Sequence, residues 1–161
     1  MTAPFAGSDL RPNPGGATVA DLHALDDDQA LAVMMMRDWF EGPDGMWRVR
    51  DAFVHTLGEK AGEDAADAFG GFLRFVVAEA RRPVMRHALA CRCVGADEAV
   101  LAQILALAAT GAREDAMLTL ALLVPADRAF CEIARAEAAG LATLRAARIA
   151  ARRPAPHPRL H

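Results

Sequence analysis

Seven consecutive residues, His87-Ala88-Leu89-Ala90-Cys91-Arg92-Cys93, hold two of the three cysteines of the chain and one of its five histidines. Imidazole nitrogen and thiolate sulfur bind zinc at about 2.0 and 2.3 Å. On a helix, residues i and i+4 share a face, so His87 and Cys91 would grip one ion. Cys93 would then point about 200° away. It joins the site only if the helix stops near Cys91, and Val94-Gly95 suits such an end. Three ligands are one short of a closed zinc site, and Cys131, Asp97 or Glu98 could supply the fourth. The same side chains also suit a redox-sensing thiol or a Cys-His dyad. Core packing competes with all of these and is the favoured expectation, because His87 shares a stripe with Val84, Ala88 and Cys91, and cysteine is commonly buried as a small hydrophobe.

The run is similar to the His-x3-Cys-x2-Cys element of zinc-binding anti-sigma factors. The similarity covers about seven residues, departs in its last spacing and lies mid-chain, so membership of that family is not inferred from it.

Other candidate sites are weaker. Met34, Met35 and Met36 fan around a helix and cannot converge on one copper ion, so they are expected to be core filler. Trp39, Phe40 and Trp47 bracket the turn Gly42-Pro43-Asp44-Gly45 and are expected to pack the first helical hairpin; exposed together, they would form a partner-binding surface. Arg145, Arg148, Arg152, Arg153 and Arg159 follow the last acidic residue, Glu137, and form a basic C-terminal stretch for an acidic partner. A helix-turn-helix can be drawn over 113–139, but the outward Arg128 and Arg135 alternate with Glu132 and Glu137, which opposes approach to phosphates. Nucleic acid is therefore not a favoured partner. The chain has no Gly-rich phosphate loop, GxSxG elbow or HExxH motif, and its paired carboxylates sit at helix starts.

The elements that position these residues are read as helices. Asp26-Asp-Asp-Gln29 has the capping-box pattern and opens a helix to about Phe40. Further helices are expected over about 46–57, 63–82 and 83–91, the one over 63–82 being the most amphipathic and containing Gly70-Gly71 at a close crossing or kink. Helices near 97–109, 113–124 and 127–139 should form short hairpins, the middle one central because it is apolar nearly all round. A last helix spans about 141–152. The expected fold is therefore all-α, a single-domain orthogonal bundle or array of about seven to eight helices. Residues 1–17 form a loosely ordered leader, 18–153 the domain and 154–161 a Pro-rich basic tail.

With 161 residues, 53% hydrophobic and 24% charged, the chain can bury one core. A net charge of −3 gives no global argument for nucleic acid. Three cysteines without a spaced even set suggest a reducing compartment, and no signal peptide or membrane span is evident. The sequence thus suggests a cytoplasmic, bacterial-type, non-enzymatic adaptor or regulator that binds a protein and needs no cofactor. The alternatives are a zinc or thiol sensor at His87, Cys91 and Cys93, with Cys131 as a possible fourth ligand, and a DNA-binding regulator.

Overall fold

The computed structural model describes residues 13–152. The leader through residue 12 and the tail 154–161 lie outside the described residues. Six α-helices and one small antiparallel sheet make up the remainder: β1 (Thr18–Asp21), α1 (Asp27–Trp39), α2 (Pro43–Leu57), α3 (Glu59–Glu79), β2 (Cys93–Gly95), α4 (Ala96–Ala109), α5 (Arg113–Leu120) and α6 (Ala126–Arg152). The all-α expectation holds in outline, with fewer and longer helices than the seven to eight expected.

α1 begins where Asp26 turns the chain, with Asp27 and Asp28 favourably placed against the positive end of the helix dipole. The capping box does not form: Asp26 makes no side-chain cap bond, and Gln29 Nε2 instead donates to Gln103 Oε1 of α4 at 2.7 Å. Gly42, at φ 95°, turns the chain into α2, which starts at Pro43 because proline suits the first helical turn. Gly58, at φ 90°, joins α2 to α3 in a single residue. The apolar faces so aligned build the core from Met35, Met36, Phe53, Phe69, Phe72, Leu73 and Val76, with Phe53 and Phe69 edge to face at 5.8 Å. Gly70 and Gly71 are buried in α3, which places a close approach here as expected; a Cβ on Gly71 would meet the Arg135 side chain of α6 at 3.0 Å.

α6 is one helix of 27 residues where two were expected. Its Gly140 does not break it. The glycine faces α4, and a Cβ there would stand 2.2 Å from the Leu105 carbonyl oxygen, so the missing side chain is what lets the two helices cross closely. α6 packs against each of the other five helices and is the central element. α5 is not central: it ends at Leu120, and Leu118 and Leu122 are 64% and 68% exposed. Its apolar sequence belongs only partly to the core, through Ala116, Leu120, Leu123 and Val124.

The largest departure lies between α3 and β2. The helix expected over 83–91 does not form, and the chain runs extended from Ala80 before turning at Leu89 and Ala90. Two of its backbone donors are taken by carboxylates of α4: Met85 N–H by Asp97 at 2.8 Å and His87 N–H by Glu98 at 3.0 Å. Charge-assisted acceptors of this kind outcompete a helical carbonyl. The extended path delivers the chain to β2, which pairs with β1 in the register Thr18 to Gly95, Ala20 to Val94 and Asp21 to Cys93, with a bulge between Thr18 and Ala20. Among the described residues, no helix is long and apolar enough to cross a membrane.

The Gly140 crossing can be tested directly. Alanine ordinarily gains about 1 kcal/mol over glycine inside a helix. Gly140→Ala should nevertheless lower stability in urea unfolding by about 1–3 kcal/mol, the usual cost of overpacking. An unchanged or raised midpoint would contradict the close crossing.

Candidate thiol and metal site

The site is built on a fully buried ion pair. Arg37, from the last turn of α1, has no exposed surface and sends Nε and Nη2 to the two oxygens of Glu98 at 2.7 and 2.8 Å. Its remaining donors reach the carbonyl oxygens of Cys91, at 2.5 Å from Nη1, and Cys93, at 2.7 Å from Nη2. Glu98 also accepts the backbone N–H groups of His87 and, at 2.8 Å, Gly95. The Gly95 bond comes from the third helical position of α4 back to its cap, the reciprocal half of a capping box. One charge pair thus fixes the backbone of His87, Cys91, Cys93 and Gly95 at once.

A second pair supports the preceding residues. Arg82 meets both oxygens of the buried Asp97 at 2.7 Å each, and its Nη1 also reaches Asn13 Oδ1 at 2.8 Å. Asn13 in turn donates to the Pro83 carbonyl at 2.9 Å. Burial alone would raise the Glu98 pKa; the Arg37 hydrogen bonds, aided by the Gly95 and His87 amides, outweigh it and hold the carboxyl below its ordinary value. The stabilisation it provides is therefore present at neutral pH and is lost as the pH falls through that lowered value. The Asp97 hydrogen bonds raise the Arg82 pKa.

On this frame His87 is held by both ring nitrogens. Nε2 lies 2.8 Å from the Gly16 carbonyl oxygen, and Nδ1 lies 3.0 Å from Cys93 Sγ and 3.9 Å from Cys91 Sγ. A carbonyl can only accept, so Nε2 carries the proton and donates it to Gly16. In the neutral ring the Nδ1 lone pair then faces the sulfurs. Metal-binding histidines are oriented in this way, with the second nitrogen donating to a backbone carbonyl.

Cys91 and Cys93 are half-buried and joined by a disulfide. The ligand atoms of His87, Cys91 and Cys93 all lie within 4.8 Å of one another. The three candidate ligands come together, by a different route from the helical one. A turn closed by Cys91 N–H to Ala88 O, at 2.9 Å, reverses the chain and lets Cys93 approach His87 from the start of β2. Core packing does not account for this group, since both cysteines and the ring remain partly open to solvent.

The other candidates are dispersed. Cys131 is an exposed free thiol on α6, outside this group. Asp97 and Glu98 are engaged by arginines. Trp39 is a core residue, set edge to face against Phe40 at 5.2 Å, while Trp47 is 64% exposed under the Arg50 guanidinium, so the three aromatics do not form one surface. The tethering of Trp39 to the core follows from its place on the buried face of α1. Arg145, Arg148 and Arg152 are exposed on α6, and Arg153 and Arg159 lie outside the described residues. Arg128 and Arg135 face Glu79 and Glu132 at 3.5 and 3.2 Å, and Arg113 faces Glu137 at 3.4 Å. Sequence reasoning missed the roles of Arg37 and Arg82, which lie 61 and 15 positions from the carboxylates they bind. No local pattern signals such pairs.

Comparison with family models, with curated proteins and with solved structures gave no match in any of the three.

Removing one partner of a buried pair leaves an uncompensated charge, at a cost of about 3–5 kcal/mol. Arg37→Met should therefore lower the unfolding free energy by about that amount. It should also raise the exchange rate of the His87 and Gly95 amides. A loss below about 1 kcal/mol, the range of exposed ion pairs, would remove Arg37 from its place at the centre of the site.

Proposed function

We propose that the protein is a thiol- and zinc-responsive sensor centred on His87, Cys91 and Cys93. The observation that carries this proposal is the oriented imidazole. Nε2 is committed to the Gly16 carbonyl, and the Nδ1 lone pair stands 3.0 Å from Cys93 Sγ.

In the oxidised state the two sulfurs are bonded to each other and cannot ligate. Two cellular thiol groups supply two electrons and two protons by thiol–disulfide exchange, convert the disulfide to two thiols and leave joined in a disulfide of their own. Zinc then displaces the thiol protons and takes two thiolates and one imidazole. A fourth position stays open to water or an incoming ligand, since Asp97 and Glu98 are held by Arg82 and Arg37. Three protein ligands with one open position are also the pattern of catalytic zinc. Here the carboxylate bonded to the His87 backbone, Glu98, has both oxygens engaged by Arg37, which favours sensing over a hydrolytic role. The disulfide and the metal exclude one another, so the site reports either oxidation or zinc supply.

The link to the remainder of the fold is Arg37, whose guanidinium binds the carbonyls of both cysteines. A change at the sulfurs is felt at the α1 and α4 contact through those bonds. A second possibility, adaptor function by protein contact, is supported by the large apolar side chains of Leu118, Leu122 and Phe130, which stand in solvent at α5 and the start of α6.

The sensor proposal is tested with protein reduced by a phosphine and desalted without oxygen. The expected result is one zinc per chain by elemental analysis, none in protein oxidised beforehand, and at least a tenfold weaker affinity in His87→Ala, Cys91→Ser and Cys93→Ser. Reduced protein that takes up no zinc, and whose Cys91 and Cys93 resist alkylation while folded, would overturn it.

A further inference from the structure

α6 and α3 run antiparallel past one another and leave a groove of about 550 Å³ between them, with Leu57 of α2 at one end of its lining. Its floor is small and apolar, with Ala61, Ala65 and Ala68 on one side and Ala138 and Ala142 on the other. From Ala138 to Arg152 the α6 wall extends about 21 Å at 1.5 Å per residue. Volume and apolar lining fall within the range of small-molecule sites, about 300–1,000 Å³.

The basic side chains of the groove lie in its α2-side half. Arg145, Arg148 and Arg152 recur at helical spacing, so they line the same wall as the floor residues, toward the α2 end. Among the described residues none of the three makes an ion pair or hydrogen bond, a condition they share with Arg74, whereas nine other arginines, Arg37 and Arg82 among them, each face a carboxylate. Asp64 is the sole acid of the lining and lies 3.6 Å from Lys60. Three unpaired guanidiniums at one end and an apolar alanine trough at the other match a single ligand of opposite polarity: a long carbon chain ending in an acid.

We propose that this groove binds one long-chain carboxylate, its head between Arg145, Arg148 and Arg152 and its tail along α3 and α6 toward Ala68 and Ala138. Guanidinium groups suit carboxylate recognition because their planar donors bind both oxygens. The proposal is independent of the sulfur site, which lies on other elements, β2 and the segment before it.

The full chain is titrated with dodecanoate below its micelle concentration, by calorimetry. Saturable binding of one molecule per chain is expected. Arg145→Glu combined with Arg148→Glu should weaken it at least tenfold. Ala61→Trp, at an exposed position on the groove wall, should abolish it while the helical circular dichroism is retained. Dodecanol should bind far more weakly than dodecanoate. Absence of saturable binding, equal binding of the alcohol, or insensitivity to all these substitutions would overturn the proposal. So would association with anionic vesicles alone, which would assign the arginines to a membrane surface rather than to a free acid.

Discussion

Everything at the candidate site rests on one buried charge pair that has no slack. Moving a guanidinium and a carboxylate out of water costs several kcal/mol per ion, and their mutual attraction offsets this only when the remaining donors and acceptors are also satisfied. Arg37 and Glu98 meet that condition by drawing on backbone: the cysteine carbonyls on one side, the His87 and Gly95 amides on the other. The protein could bury a pair of hydrophobes there with less risk. It buries instead a group whose requirements dictate the path of residues 87–95, which carry no hydrophobic run strong enough to fix themselves.

That dependence explains what the amino-acid sequence discloses and what it withholds. α1, α2 and α3 are legible because their information is local: apolar residues recur with helical period, and Gly42, Pro43 and Gly58 mark the joints. The segment 83–91 is misleading for the opposite reason. Its alanines and Pro83 favour a helix, but Met85 and His87 give their N–H groups to Asp97 and Glu98, ten or more positions away. A local preference worth tenths of a kcal/mol per residue yields to charge-assisted bonds that no window of sequence contains. Gly140 misleads similarly. It has the composition of a break, and its purpose becomes apparent only with the Leu105 carbonyl of α4 beside it.

Of the site itself, ligand types and their closeness in sequence were legible, and geometry was not. A helical His87 and Cys91 would leave Cys93 outside unless the helix stopped near Cys91. The extended backbone removes the difficulty, since a reversal at Leu89 and Ala90 brings positions 87 and 93 together more closely than positions 87 and 91. Arg37 offered no such hint, as an arginine in the last turn of a helix is ordinarily explained by the dipole. Cysteines so close in sequence have little entropy to lose on bonding.

The carbonyl of Gly16 gives the site a boundary different from that of the helices. Residues 13–17 add little to the core, and composition alone assigns them to a loosely ordered leader. Yet the acceptor at Gly16 is what chooses the histidine tautomer, and Asn13 braces Arg82 from the same short stretch. The chemistry of the imidazole is thus set by a peptide group some seventy residues upstream of it. A chain that lacked residues 13–17 would lose the acceptor that chooses which nitrogen meets the sulfur.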